Sequence, residues 1–251
     1  MDNRKINVYS EIGDLKTVVL HRPGEEIENL IPEYLERLLF DDIPFLKVAR
    51  QEHDNFAKIL QNNGVETIYL EDLIVESLGQ PQVKQLFLNE VIEEAGIYGA
   101  LTISSLKKYL CSMTEKEMID KIMAGTRKKE VQIVEHYDDY PFIMDPMPNL
   151  YFTRDPFASI GHGISLNSMK TKTRRRETIF GKYIFKYHPN LKILDSNFLC
   201  DRNDVYNIEG GDELILSNEV IAIGHSERTD REAIINRSEE HTSELQSPVL
   251  S

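Results

Sequence analysis

Three acidic residues stand in two short segments whose composition could build a binding site for a cation. Asp155 lies in the segment FTRDP, and Glu209 and Asp212 lie in the segment IEGGDE. Gly210 and Gly211 permit a tight backbone there, which could direct both carboxylates into one cleft. Carboxylates bind a planar guanidinium group through parallel N–H bonds. A glycine-rich turn with solvated acids is the alternative interpretation of the same residues.

Two arginines follow these acids along the chain and would suit the opposite end of the same ligand. Arg174 opens the segment RRRET, and Arg228 lies in the segment IGHSERT. A guanidinium side chain pairs with a carboxylate through two N–H donors, so both arginines suit a ligand that carries an acid group. Together the acids and the arginines predict a site for a zwitterionic amino acid with a cationic head.

Other patterns that could carry chemistry are weak or incomplete. The segment GHSER has Arg228 where the final glycine of a nucleophile elbow belongs, so a serine hydrolase is not indicated. HExxH, Walker and dinucleotide-binding motifs do not occur in the sequence. Cys111 and Cys200 lie far apart without metal-type spacing, and the predicted turns contain three irregularly spaced histidines, His162, His188 and His225. No metal and no cofactor are predicted.

The composition limits the classes of partner. The chain has 251 residues, of which 41% are hydrophobic, so it can bury a substantial core. Its net charge of -13 argues against nucleic acid or an anionic membrane as the main partner, although the basic segment KTKTRRR could form a small anion patch. The start of the sequence lacks a signal-peptide pattern, and no apolar run is long enough to span a bilayer. The expected location is the cytoplasm.

The first part of the chain predicts an αβ unit. Residues 15–24 form a β-branched run that closes on a Pro-Gly turn, which is typical of a strand. A helix is predicted from Phe45 to a C-cap at Gly64, with Asp41 or Asp42 as its N-cap. The segment VETIYL then returns to strand character. We expect this unit to end near residue 70.

Residues 71–135 predict a helical insertion. The segment LKKYL has helical spacing, and Thr114 and Glu117 form a capping box that opens the next helix. Gly125 is the expected end of that helix. The periodicity therefore indicates helices throughout this part of the chain.

Strand character resumes after the insertion. The run that precedes Asp155 is interpreted as a buried strand that ends on this acid, since Pro156 stops strand pairing. The segments FASIGHGIS and GDELILSNEVIAIGHS predict two hairpins, with turns at 161–163 and near Asn218, and RETIFGKYIFKY predicts a helix between them.

These segments suggest a weak internal repeat. An acidic residue, Asp155 and then Asp212, precedes each predicted hairpin. An arginine, Arg174 and then Arg228, then stands just before a predicted helix. Repeated units that each fail to bury their own face usually pack around an axis or in a row. Chance similarity of two hairpins is the alternative.

Several segments together closely resemble the arginine deiminase family, of the guanidino-modifying enzyme superfamily. The resemblance spans essentially residues 7–236, and it is carried by SEIGDLKTVVLHRPG, EHDNFAKILQNNGVETIYL, PNLYFTRDP, RRRET, IEGGDE and IGHSERT. It implies an α/β fold, here an incomplete α/β propeller of pentein-like ββαβ modules with a helical insertion domain. The implied domains are 1–70 for the first module, 71–135 for the insertion and 136–236 for the second module and the start of the third.

The resemblance also implies an activity and roles for individual residues. Members of the family hydrolyse L-arginine to L-citrulline and ammonia without a metal or cofactor, as cytoplasmic homo-oligomers. Asp155 is similar to the carboxylate that clamps the guanidinium, and Glu209 to the acid that binds the substrate and orients a histidine. The implied substrate-binding residues are the α-carboxylate pair Arg174 and Arg228, the lining residues Asn149 and Phe152, and the supporting acid Asp212.

Two features depart from the family pattern. The family's nucleophilic cysteine and general-base histidine lie in later modules of a longer chain, and neither Cys111 nor Cys200 matches the motif. The segment RSEEHTSELQS matches the translation of a common sequencing adapter, so residues 237–251 are interpreted as a non-native tail and the native reading as stopping near Asn236. We therefore expect this chain to be inactive and poorly soluble.

Other functions remain compatible with the sequence. An amidinotransferase or a dimethylarginine hydrolase of the same superfamily would use similar residues, although the insertion combined with FTRDP and IEGGD favours the deiminase. A non-catalytic arginine-binding protein could retain the carboxylates without the nucleophile. Measurement of products and of arginine binding separates these functions.

Overall fold

The computed structural model describes residues 6–131 and 139–241, and its first unit is the predicted αβ unit. Strand β1 (Thr17–Leu20), helix α1 (Glu25–Glu28), helix α2 (Leu46–Asn62) and strand β2 (Glu66–Tyr69) follow one another. β1 and β2 pair in parallel, with α2 as the crossover. The predicted aspartate N-cap was wrong, because α2 begins after Phe45 without a side-chain cap.

The insertion consists of four helices. They are α3 (Leu70–Ser77), α4 (Pro81–Glu94), α5 (Ala100–Cys111) and α6 (Glu115–Ala124). The capping box at the start of α6 is confirmed, since Glu117 N donates to Thr114 Oγ1 (3.3 Å) and Thr114 N donates to Glu117 Oε2 (2.9 Å). The helix ends at Gly125, whose φ of 84° suits glycine.

A short antiparallel pair follows the insertion. Strand β3 (Thr126–Arg127) pairs with strand β4 (Phe142–Met144). Helical structure therefore does not continue throughout the predicted segment 71–135. Its expected end, residue 135, lies outside the described residues.

The second unit has the strand–strand–helix–strand order. It contains β5 (Phe157–Ile160), β6 (Gly163–Leu166), α7 (Glu177–Tyr187) and β7 (Phe198–Cys200). β5 and β6 form the predicted hairpin, and β6 pairs in parallel with β7. Gly161 turns the hairpin with a φ of 56°. The hairpin and the helix were therefore predicted correctly from local signals.

The third unit repeats the beginning of the second. It contains the antiparallel hairpin of β8 (Glu213–Ile215) and β9 (Ile221–Ile223), followed by helix α8 (Arg231–His241). This hairpin also agrees with the prediction. Arg174 and Arg228 both lie just before the helix of their unit, which is the layout that suggested a repeat.

The predicted buried strand before Asp155 was wrong. Residues Pro148–Tyr151 form a 3-10 turn, and β5 begins only after Asp155. Pro148 at the first position fixes a helical φ, and the Asn149 side chain donates to the Leu38 carbonyl (2.8 Å), which anchors the turn to a distant loop. Asp155 therefore lies just before the start of strand β5 rather than at the end of a strand.

One apolar core joins the insertion to the second unit. The buried ring of Phe87 in α4 packs edge-on against Phe180 and Tyr183 of α7, with centroid distances of 5.6 and 5.2 Å. Beside this contact Lys182 Nζ and Arg202 Nη1 both donate to the Glu90 carboxylate. The described sheets have two or three strands each, so the fold is α/β with small sheets. No helix in the described parts of the chain is both long and apolar enough to cross a membrane.

Candidate functional site

A cleft between the second and third units brings together four of the predicted site residues. Its volume is about 380 Å³, and it is lined by Asp155, Glu209, Gly211, Asp212, Ser226, Glu227 and Arg228. Four of these residues carry carboxylates and one carries a guanidinium group. The excess of acids gives the cleft a negative potential that favours a cationic ligand.

Arg154 and Asp155 are adjacent in sequence, but their side chains contact different parts of the molecule. Arg154 donates to both oxygens of Glu11 (2.6 and 3.0 Å) and to the Gly210 carbonyl (2.9 Å). Its guanidinium group therefore holds the N-terminal segment and the third unit together. Asp155 lines the cleft instead.

The backbone of Asp155 is fixed from two sides. Its carbonyl accepts hydrogen bonds from Gly210 N (3.0 Å) and from Asn167 Nδ2 (2.8 Å). Its carboxylate Oδ2 accepts from Arg174 Nη1 at 2.9 Å. The carboxylate is thus held by the second unit while its backbone contacts the third.

Glu209 is the most buried acid of the cleft, with 2% of its surface exposed. Its Oε2 lies 3.5 Å from Arg228 Nη1 and 3.9 Å from Arg174 Nη1. Among the described residues Oε1 has no partner by hydrogen-bond geometry, although the Lys170 backbone N–H is close enough to the carboxyl to lower its pKa. Burial raises the pKa of Glu209, and the two arginines oppose that rise. A ligand N–H group at Oε1 would satisfy this acceptor and favour the ionised form.

Arg174 lies behind the cleft rather than in its lining. It is 1% exposed and pairs with Glu177 through Nε (2.9 Å) and Nη2 (2.8 Å), in addition to its bond with Asp155. Its predicted contact with a substrate carboxylate stays a prediction. In this structure its donors bind the carboxylates of Asp155 and Glu177 and, at 3.5 Å, the Asn149 carbonyl.

Glu177 was missed by the sequence analysis. Burial raises the pKa of this carboxyl to about 7, and the adjacent Arg174 opposes the rise. The spacing of Arg174 and Glu177 in RRRET, one helical turn apart, was the available signal.

Asn149 and Phe152 are near the site but do not line the cleft. Asn149 is buried, and its carbonyl lies 3.5 Å from Arg174 Nη2. Phe152 is half-exposed and contacts Tyr151 with a centroid distance of 4.1 Å and the rings tilted by 36°. Their predicted contacts with substrate stay predictions.

Neither cysteine lies at the cleft. Cys111 is exposed at the end of α5, and Cys200 lies in β7. Burial raises the pKa of the Cys200 thiol, which disfavours the nucleophilic thiolate. In the described part of the chain no three His, Cys, Asp or Glu side chains are grouped so as to hold a metal ion.

The third unit contains two further polar residues that the sequence did not assign to the site, Ser226 and Thr229. Both hydroxyl groups donate to Asp212 Oδ2, at 2.7 and 2.6 Å. Thr229 Oγ1 also accepts from Glu209 N at 3.2 Å. These bonds connect the loop that carries Arg228 to the acidic turn.

The strand–strand–helix–strand unit and the small sheets define an α/β protein, whose cleft is lined by four carboxylates and one guanidinium group. The family model "Arginine deiminase" matches residues 36–242. The chain is 56% identical to the arginine deiminase of Clostridium perfringens over 242 residues, which covers 93% of this chain and 59% of that protein. It is 53% identical to arginine deiminase 1 of Staphylococcus epidermidis, over 91% of this chain and 57% of that protein. The chain belongs to the arginine deiminase family.

The alignments cover most of this chain but a smaller share of each relative. The chain spans less than three-fifths of the length of these curated relatives, whereas more than nine-tenths of the chain is matched.

Proposed function

We propose that this chain carries the guanidinium-binding carboxylates of an arginine deiminase, which hydrolyses L-arginine to L-citrulline and ammonia. The observation that carries the proposal is the buried Glu209 Oε1, which has no partner by hydrogen-bond geometry among the described residues, in the same cleft as Asp155. A buried acceptor without a partner is costly, and a guanidinium N–H supplies the missing bond. A cationic amino acid is the ligand that fits this arrangement.

In the proposed complex Asp155 and Glu209 accept N–H bonds from opposite sides of the guanidinium group. This fixes the plane of the group and stabilises its positive charge. Arg228, which is half-exposed at the cleft, binds the α-carboxylate of the substrate. Arg174 holds Asp155 in position and is proposed as the second carboxylate-binding arginine, while Asn149, Phe152 and Asp212 complete the substrate contacts.

The proposed reaction proceeds through a covalent intermediate. A cysteine thiolate attacks the guanidinium carbon, the C–N bond to one terminal nitrogen breaks, and ammonia leaves after protonation by a histidine. Water then attacks the amidino carbon and the C–S bond breaks, which releases citrulline and regenerates the thiolate. The cleft lining described here contains neither a cysteine nor a histidine, so this chain is assigned the binding residues only.

We also propose how the structural units are arranged. The second unit has the ββαβ order of a pentein module, and the third unit repeats its first three elements. We infer modules arranged around a central site, with the helices of 71–135 as an insertion. Cytoplasmic location, a homo-oligomeric complete enzyme and the absence of nucleic-acid and membrane partners are further proposals, supported by the net charge of -13.

Titration calorimetry with L-arginine tests the proposed binding role. We expect the chain to bind L-arginine, and Asp155→Asn and Glu209→Gln each to weaken binding about tenfold or more, since each removes a charged acceptor. Asp14→Asn, at an aspartate whose side chain is 92% exposed and does not line the cleft, is the matched control and should bind as the wild type does. Thermal unfolding of each variant verifies that the fold is retained.

The same samples test turnover. We expect no citrulline, because Cys111 and Cys200 lie away from the cleft. Citrulline release would contradict the assignment of binding residues alone. Absence of arginine binding, or equal binding by Asp155→Asn and Asp14→Asn, would overturn the proposed function.

A further inference from the structure

Arg228 is held over the cleft by its backbone more than by its own side chain. Its guanidinium group makes one long contact with Glu209 (3.5 Å), and the side chain is 49% exposed. Its backbone N donates to Ser226 Oγ at 3.0 Å. A long, half-exposed side chain has many rotamers, so the position of its backbone largely determines where the charge lies.

The backbone of Arg228 is held by a turn whose hydroxyl groups donate to the Asp212 carboxylate. Ser226 Oγ accepts from both Arg228 N and Thr229 N, which closes a tight turn around the arginine. The same oxygen donates to Asp212 Oδ2 at 2.7 Å. Because an ionised acceptor shortens and strengthens these bonds, Asp212 anchors the whole turn.

Thr229 connects this turn to Glu209, a second acidic residue of the cleft. It is fully buried, and its hydroxyl donates to Asp212 Oδ2 (2.6 Å) while accepting from Glu209 N (3.2 Å). The Thr229 hydroxyl group therefore donates to the side chain of one acidic residue, Asp212, and accepts from the backbone of another, Glu209. The distance between Arg228 and Glu209 therefore depends on this side chain.

We propose that Thr229 is a positioning residue whose hydroxyl, together with Ser226 and Asp212, places Arg228 so that the site prefers guanidino compounds with an α-carboxylate. Arg228 is the one basic residue among the described residues that line the cleft, because Arg174 is buried behind it. Of the two arginines proposed to bind the carboxylate, Arg228 is therefore the one whose position within the cleft lining can vary, and recognition depends on where it is held. This inference depends on the proposed function, since it assumes that arginine binds at this cleft.

Calorimetry with two ligands tests the inference. L-arginine and agmatine share the guanidinium group, but agmatine lacks the carboxylate. The wild-type chain should bind L-arginine about tenfold more tightly than agmatine, because one charge-assisted pair is lost with the carboxylate. Thr229→Val is nearly isosteric but has no hydroxyl, and we expect it to reduce this ratio to about twofold or less. Thr229→Ser keeps the hydroxyl and should retain the wild-type ratio.

The outcomes separate the two proposals. A wild-type chain that binds neither compound contradicts the proposed function and this inference with it. A wild-type preference that Thr229→Val preserves overturns the positioning role alone. Equal loss of both ligands in Thr229→Val would also overturn it, since that result indicates general damage to the cleft. Ser226→Ala, at an exposed residue of the same turn, should lower the ratio in the same direction and provides the test if the buried substitution unfolds the chain.

Discussion

At the scale of single residues, three consecutive side chains of the segment FTRDP lie against three different parts of the molecule. Thr153 Oγ1 donates to the Val19 carbonyl of β1 (3.1 Å), Arg154 binds Glu11, and Asp155 lines the cleft. The first two contacts fix the segment to distant parts of the chain. The third side chain is therefore positioned by the bonds of its neighbours together with its own bond to Arg174.

Gly211 leaves the space that the Asp155 carboxylate occupies. A Cβ atom at Gly211 would lie 2.7 Å from Asp155 Oδ1, which is closer than a non-bonded contact allows. Gly211→Ala should therefore displace the carboxylate and weaken L-arginine binding about tenfold, as loss of one charged hydrogen bond would. Gly224→Ala is the control, since its Cβ would lie 3.6 Å from Asp212 Oδ1, an ordinary contact. Calorimetry on both variants measures the effect, and equal affinities would contradict it.

At the scale of elements, local signals predicted structure where local interactions decide it. The capping box at Thr114 and the hairpin turn at Gly161 are encoded by neighbouring residues, and both were predicted correctly. The turn before Asp155 was not predicted, because the bond from Asn149 to Leu38 joins segments far apart in sequence. Apolar content alone cannot distinguish such a turn from a short buried strand.

The candidate site likewise combines features set by local sequence with features set by distant contacts. The sequence identified Asp155, Glu209, Asp212 and Arg228 as acids and an arginine in turns, and the fold places them in one cleft. The burial of Arg174 was not predictable from RRRET, because it depends on the packing of α7 against other elements. Ser226 and Thr229 were missed because a hydroxyl group acquires its role only from the acid that it meets in the folded chain.

The junction of β1, α1 and α3 contains a buried charged histidine. His21 Nε2 lies 3.1 Å from Glu26 Oε1, and Nδ1 lies 3.1 Å from Glu71 Oε2. Both nitrogens face carboxylates, so both must donate, which requires the imidazolium form. Burial lowers the pKa of His21, but the two carboxylates outweigh burial and raise it to about 9.

This histidine predicts a loss of stability in mild alkali. A folded-state pKa of about 9 against the ordinary pKa of 6.5 for histidine means that the stabilising charge is fully present below pH 6.5 and is lost as the pH rises through 9. The free energy of unfolding should fall by about 2 kcal/mol between pH 7 and pH 9 relative to His21→Gln. His53, whose pKa is lowered by burial, has already lost its proton in this range.

Denaturant titrations at several pH values measure this difference. His225→Gln, at an exposed histidine of the third unit, is the matched control and should follow the wild-type profile. Parallel pH profiles for the wild type and His21→Gln would contradict the charged form of His21.

At the scale of the whole molecule, apolar surface is distributed unevenly. The insertion and the second unit share a continuous core, whereas the third unit exposes large apolar side chains on its hairpin. These are Leu214, Leu216, Val220 and Ile221. In the described residues β8 and β9 form a sheet of only two strands. The register places Leu214, Leu216 and Val220 on one face of the hairpin and Ile221 on the other. An apolar patch of this kind beside a short sheet favours contact with another molecule.

This surface leads us to expect concentration-dependent association of the chain. Replacing Leu216, which is 59% exposed, and Val220 by threonine keeps residues suited to strands but lowers the apolar area. The double variant should sediment as a smaller species than the wild type at the same concentration in sedimentation velocity runs. Leu101→Thr removes an even more exposed leucine (86%) from α5, away from the hairpin, and should leave association unchanged. If Leu101→Thr reduces association as much as the hairpin variant does, the self-contact depends on general hydrophobicity rather than on this patch.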